Sequence, residues 1–166
     1  MATATSIPLS EYLDTIYRPD RDYVDGEVLD RNVGEFDHSR LQGLMYSHLL
    51  NHEKEWAVLV VPEQRVQVKA TRFRVPDICV LLARPQTGIV TDPPLLCIEI
   101  LSPSDRITEM QERIDDYLQF GVHTVWVIDP TTRRAQIYTA TSIVDVKDGL
   151  LRVADSPVSV NLNELS

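Results

Sequence analysis

Two cysteines in 166 residues, Cys79 and Cys97, each inside an apolar run, provide no disulfide framework. A paired-cysteine pattern for structural zinc, a Gly-rich phosphate loop and a Gly-x-Ser-x-Gly elbow are all missing, which disfavours structural zinc, P-loop nucleotide hydrolysis and serine hydrolysis. No run reaches the length of apolar residues that a membrane helix needs, and "MATATSIPLSEYLD" lacks a basic segment leading into an apolar one. A cytoplasmic protein without a membrane partner is therefore expected. Positive charge is scarce as well: 16 Lys and Arg stand against 25 Asp and Glu, a formal net charge of −9, which argues against coating nucleic acid by charge alone. Only the 65–74 stretch is locally basic, with Arg65, Lys69, Arg72 and Arg74, and it is a candidate for a basic groove on one face.

What is present is the composition of an ordinary globular chain, 43% hydrophobic and 25% charged, with no repeat or low-complexity tract. One domain over residues 1–166 is expected, with 1–8 as a loose tail. The pattern predicts a short helix from about Ser10 to Tyr17 and a hairpin over Tyr23–Leu29 turning at Asp25-Gly26. A longer helix follows from an Asp37 cap to about Glu53, with Leu41, Leu44, Met45, His48 and Leu49 on one face. From Trp56 the pattern is β: "WAVLVV", "RVQVK", "RFRVPDICVLL" and "LLCIEIL". Ser104 or Asp105 is placed to cap a second helix reaching Gly121, and "TVWVID" reads as a buried strand parallel to "LLCIEIL". The remaining runs, "RRAQIYT", "SIVDVKDG" and "LLRVAD", alternate and are expected at the sheet edge, with "VNLNELS" as a last turn.

Two acids interrupt the apolar runs, Asp77 in "RVPDICVLL" and Glu99 in "LLCIEIL". A buried carboxylate needs a charge partner, hydrogen bonds or a metal ion. Phosphodiester hydrolysis needs charge neutralisation and an activated water, and a divalent ion on oxygen ligands supplies both. If their strands are neighbours, Asp77 and Glu99 converge on one ion, with the carbonyl of Ile100 as a further ligand. The plainer readings are a strand-start aspartate after Pro76, a buried Glu99–Arg113 ion pair, and an Arg113 that is solvated and paired with Glu109. Lys69 is a further candidate cation, His48 reads as a core or interface histidine, and His52 and His123 carry no motif.

"YVDGEV", "RVPDICVL", "PPLLCIEILSPSDR", "YLQFGVHTVWVIDP" and "VNLNEL", in this order and spacing, resemble the PD-(D/E)XK restriction-endonuclease-like superfamily, and within it the Uma-type endonucleases common in cyanobacteria. The resemblance implies an α/β fold with a restriction-endonuclease-like core, a central mixed β-sheet flanked by helices, and Mg²⁺ or Mn²⁺ held by Asp77 and Glu99. It also implies nucleic acid, DNA above all, as substrate, and a homodimer. In the superfamily a lysine stands two residues after the second acid, where this chain has Leu101. Uma-type relatives carry it on the following helix, at the place of Arg113. Arginine neutralises charge but does not exchange a proton with water. His38 resembles the family's histidine at the start of the long helix, and Glu27 in "DGE" is a lower-ranked carboxylate. The expected function is a metal-dependent endonuclease; the alternative is a catalytically decayed nuclease fold serving as a homodimeric binding module.

Overall fold

The computed structural model describes residues 6–32 and 35–166. The chain runs α1 (Leu9–Asp14), β1 (Asp22–Val24), β2 (Glu27–Leu29), α2 (Phe36–Asn51), α3 (Glu53–Trp56), β3 (Leu59–Pro62), β4 (Val66–Lys69), β5 (Arg72–Arg74) and β6 (Ile78–Leu81). It continues with β7 (Leu96–Ile100), α4 (Ile107–Phe120), β8 (Thr124–Ile128), β9 (Ala135–Tyr138), β10 (Ile143–Val146), β11 (Leu150–Arg152) and β12 (Ser159–Asn161), and a 3-10 turn over Leu162–Glu164 closes it. A six-stranded mixed sheet has the order β10-β9-β8-β7-β6-β3, a four-stranded antiparallel sheet the order β2-β1-β5-β4, and β11 pairs with β12 alone. This is the α/β architecture with a central mixed sheet that the sequence predicts. Among the described residues no helix is long and apolar enough to cross a membrane.

The central sheet takes its two faces from strand alternation. Ile78, Val80, Leu96, Ile98, Ile100, Trp126 and Ile128 point to one side, where Leu41, Met45 and Leu49 of α2 and the β11–β12 pair cover them. Each of those three helix side chains, fully buried, contributes ~2 kcal/mol. Cys79, Leu81, Cys97, Val125 and Val127 point to the other side, against Ile114 and Tyr117 of α4. β7 and β8 are parallel, in register from Leu96↔Thr124 to Ile100↔Ile128, with α4 as their crossover.

Several local expectations are corrected. The run from Arg72 to Leu82 is not one strand: β5 pairs with β1 and β4, whereas β6 pairs with β3 and β7. Pro76, with no N–H to give a ladder, sits at the crossing between the sheets. α1 ends at Asp14, before Tyr17. α2 begins at Phe36 with Glu35 at its cap, and α4 begins at Ile107 with Arg106 at its cap; neither cap makes a side-chain bond, so Asp37, Ser104 and Asp105 do not cap. β9 is interior, β10 is the edge strand, and β11 leaves the central sheet. Residues 6–8 are not loose, since Ile7 donates its N–H to the Gly26 carbonyl and accepts the Tyr23 hydroxyl, each at 2.9 Å. The rest of the expected tail, residues 1–5, lies outside the described residues. The hairpin turns at Asp25 (φ 49°) and Gly26 (φ 102°), two positive φ values in succession as a tight β-turn requires.

Candidate functional site

Odd-numbered positions of β7 face α4, so Glu99 is aimed at that helix while its neighbours Ile98 and Ile100 enter the opposite core. One helical turn separates Arg113 from Tyr117, and both side chains reach the same Glu99 oxygen. The Tyr117 hydroxyl donates to Glu99 Oε1 at 2.6 Å and Arg113 Nη1 donates to it at 3.2 Å. Among the described residues no hydrogen bond reaches Oε2. Burial lifts the Glu99 carboxyl, the Arg113 charge pulls it back and the like charge of Asp77 lifts it again, leaving a pKa of about 7. The Tyr117 hydroxyl is held well above its ordinary range, first by burial and then by the Glu99 charge.

Asp77 lies where the chain passes from the four-stranded sheet to the central one. Its Oδ2 accepts the Ile100 N–H at 2.7 Å and faces His38 Nε2 at 3.3 Å, while Oδ1 accepts Arg31 Nη2 at 2.8 Å. His38, in the first turn of α2, is buried; burial lowers its pKa, but the hydrogen bond and charge of Asp77 outweigh this and leave it above the ordinary imidazole value. A cavity of about 60 Å³ is lined by Asp77, Glu99, Ile100, His38, Arg31 and Arg113, and also by Asp30, Asn32, Asp105, Arg106, Glu109 and Met110. Asp77, Glu99, Ile100, Arg113 and His38 are thus brought together. Glu27 is not: it is exposed on β2 and lines no part of this cavity.

Arg113 has a second partner, Asp22 of β1, at 2.8 Å from its Nη2. Asp22 is fully buried, accepts the Val75 N–H at 2.9 Å and meets Arg74 at 3.2 Å, and Arg74 in turn meets Asp116 of α4 at 2.7 Å. Arg72 joins Asp25 to Asp116, Arg65 is held by Asp20, and Lys69 lies 3.6 Å from Asp116. The basic stretch over 65–74 is therefore consumed internally and forms no free basic groove. The pairing of Arg113 with Glu109 is also absent; Glu109 lies 3.9 Å from Arg106.

Comparison with known proteins shows the family and the fold. The sequence model of the Uma2 family, described as "putative restriction endonuclease", matches residues 9–161. The chain belongs to the Uma2 family. A crystal structure from Anabaena variabilis, titled as a "putative nuclease belonging to DUF820", superposes with a TM-score of 0.80 at 25% identity, covering 96% of this chain and 97% of that one. No curated protein matches the chain.

In this Uma2 chain the residues that sequence reasoning missed are Arg31, Asn32, Asp105, Asp22 and Tyr117. Arg31 and Asn32 stand in the short connection between β2 and α2, where no periodicity marks a buried side. Asp105, read as a cap, instead accepts the Ser102 N–H and the Asn32 amide, each at 2.7 Å, tying that connection to the start of α4. Tyr117 stands at an apolar-spaced position of α4, and a tyrosine four residues after Arg113 is the available signal. The donor chemistry fits a hard divalent cation: the small polar cavity is lined by five acidic residues, Asp77 and Glu99 the buried ones among them, and one Glu99 oxygen has no bond among the described residues. Among those residues no group of three His, Cys, Asp or Glu side chains is close enough to hold an ion by itself.

Proposed function

We propose that the protein is a metal-dependent nuclease that hydrolyses phosphodiester bonds of nucleic acid, DNA in the first instance. The observation that carries the reading is the convergence of Asp77, Glu99 and Arg113 on a single cavity. Asp77, Glu99 and the Ile100 carbonyl would hold Mg²⁺ or Mn²⁺, with water and substrate oxygens completing the shell. Such an ion, when bound, neutralises phosphate charge and lowers the pKa of a coordinated water. Tyr117 and the Ile100 N–H fix the two carboxylates from behind. Arg113 presents a permanent positive charge to the cavity and stabilises the charge that develops on phosphorus. His38, whose pKa Asp77 holds above the ordinary imidazole value against the effect of burial, faces Asp77 Oδ2 at 3.3 Å and orients that carboxylate.

A decayed nuclease fold acting as a homodimeric binding module is the second reading. The observation favouring it is that Arg113 is already engaged by Asp22 and Glu99, while Leu101 occupies the usual lysine position. One experiment separates the two: thermal unfolding with a Mn²⁺ titration, together with plasmid cleavage, for wild type and Glu99→Gln. The nuclease shows Mn²⁺ stabilisation and cleavage that both vanish in the variant. At one hundred times the dissociation constant the stabilisation is ~2.7 kcal/mol. Wild type that cleaves nothing and gains no stability from Mn²⁺, with or without DNA, favours the binding module. Cleavage unaffected by the substitution comes from a contaminant. Both readings include a homodimer, which sedimentation velocity at micromolar protein checks; a monomer there removes it.

A further inference from the structure

The site already contains a cation, Arg31. Its side chain is only 4% exposed, its Nη2 lies 2.8 Å from Asp77 Oδ1, and its Nη1 has no hydrogen-bond acceptor among the described residues, the nearest charge being Glu63 Oε1 at 3.7 Å. Asp77 offers about four acceptor positions. Arg31 and the Ile100 N–H take two of them, and His38 faces a third at 3.3 Å. The cavity beside them, about 60 Å³, is polar and opens to solvent. A divalent ion that takes Asp77 as a ligand needs an oxygen position that one of these groups now holds, so one of them must yield when it enters.

The surroundings single out which group yields. Glu99 and Ile100 are in a central strand, and His38 and Arg113 are on helices. Arg31 alone of the charged lining groups close to Asp77 stands outside regular structure, in the connection between β2 and α2, and its second contact, with Glu63, is long and to a 41% exposed side chain. We infer that Arg31 is an internal placeholder cation: it neutralises Asp77 in the metal-free protein and is displaced from Oδ1 when a divalent ion binds. This rests on the metal-dependent reading above. Its consequence is that metal affinity is set by competition, since an ion must overcome one guanidinium–carboxylate bond and a like charge.

The test is Mn²⁺ binding by calorimetry to wild type, Arg31→Ala and Arg31→Gln, with circular dichroism confirming that each is folded. Both variants are expected to bind Mn²⁺ at least tenfold more tightly than wild type, and their lower thermal midpoints are expected to be restored more strongly by Mn²⁺. Equal or weaker binding by the variants, with wild type still binding, overturns the placeholder and leaves the metal site standing. Absence of binding in all three, with DNA present as well, overturns the metal reading and this inference together. Should both variants fail to fold, the arginine Nε–H resonance of wild-type Arg31 decides, read with Mg²⁺ as a diamagnetic probe. Its movement to a solvent-exchanging position on Mg²⁺ addition supports the displacement, and an unchanged resonance at saturating Mg²⁺ overturns it.

Discussion

Asp22 and Asp77 are both buried aspartates facing arginine, yet they belong to different kinds of place. Around Asp22, every charge has an opposite charge within 3.2 Å, through Arg74, Arg113 and Asp116, even where Arg74 Nη2 is not aligned for a hydrogen bond, and Asp22 does not line the cavity beside Asp77. Around Asp77 the arginine is held at one nitrogen only, a glutamate oxygen nearby has no bond among the described residues, and the groups open onto shared space. Burial of charge by itself therefore does not identify a site. A closed network cements two sheets to a helix, whereas incomplete pairing beside a cavity leaves chemistry available.

The largest effect should come from breaking the closed side. Asp22→Ala strands Arg74 and Arg113 without their shared carboxylate and should cost ~3–5 kcal/mol, on the order of 10 °C in the unfolding midpoint, read by urea and thermal denaturation. A loss below 1 kcal/mol would mean the network is not what joins the four-stranded sheet to α4.

On the open side the stability depends on pH. Because the Glu99 pKa is raised to about 7, the folded chain holds a proton that the unfolded chain has already released above the ordinary glutamate range. That contribution is complete below the unfolded value and is lost as pH rises through about 7, so stability should fall between pH 5 and 8, by roughly 2–3 kcal/mol. His38, raised by Asp77, adds to the fall in the same direction from about 6.5 upwards. Urea midpoints across this range check it. Glu99→Gln should remove the lower part of the slope and be as stable as wild type, or more so, at pH 8; an unchanged slope assigns the proton elsewhere.

Arg113→Lys tests the residue that belongs to both regions. A single ammonium does not bridge Asp22 and Glu99 as the forked guanidinium does, so ~1–2 kcal/mol should be lost. Under the nuclease reading the amine restores a group able to exchange a proton, and Mn²⁺-dependent cleavage should hold or increase. The smallest effect belongs to Glu27→Ala, within about 0.5 kcal/mol and without influence on cleavage, as befits an exposed side chain away from the cavity.

Glu99 was legible because one acid in "LLCIEIL" has no solvent face to occupy, and strand alternation then fixed which helix it meets. Asp77 was legible for the same reason, although the sheet crossing at Pro76 was not, since β5 and β6 differ only in the partners they find. Arg31 and Asp22 were invisible: each is buried by residues far along the chain, Asp77 at 46 positions and Arg74 at 52. Locally both look like ordinary hairpin-flanking charges. The basic stretch misled for a related reason, because composition records positive charges and not the carboxylates brought opposite them.

The grip of Arg113 on both Asp22 and Glu99 has a consequence for descent as well as for stability. A chain that replaces Arg113 by a neutral residue leaves Asp22 with Arg74 as its one arginine, and one that loses Asp22 leaves Arg113 to Glu99, the acid of the site. Viable lineages should therefore change the two positions together, so that hairpin and helix, distant in sequence, are passed on as one linked pair.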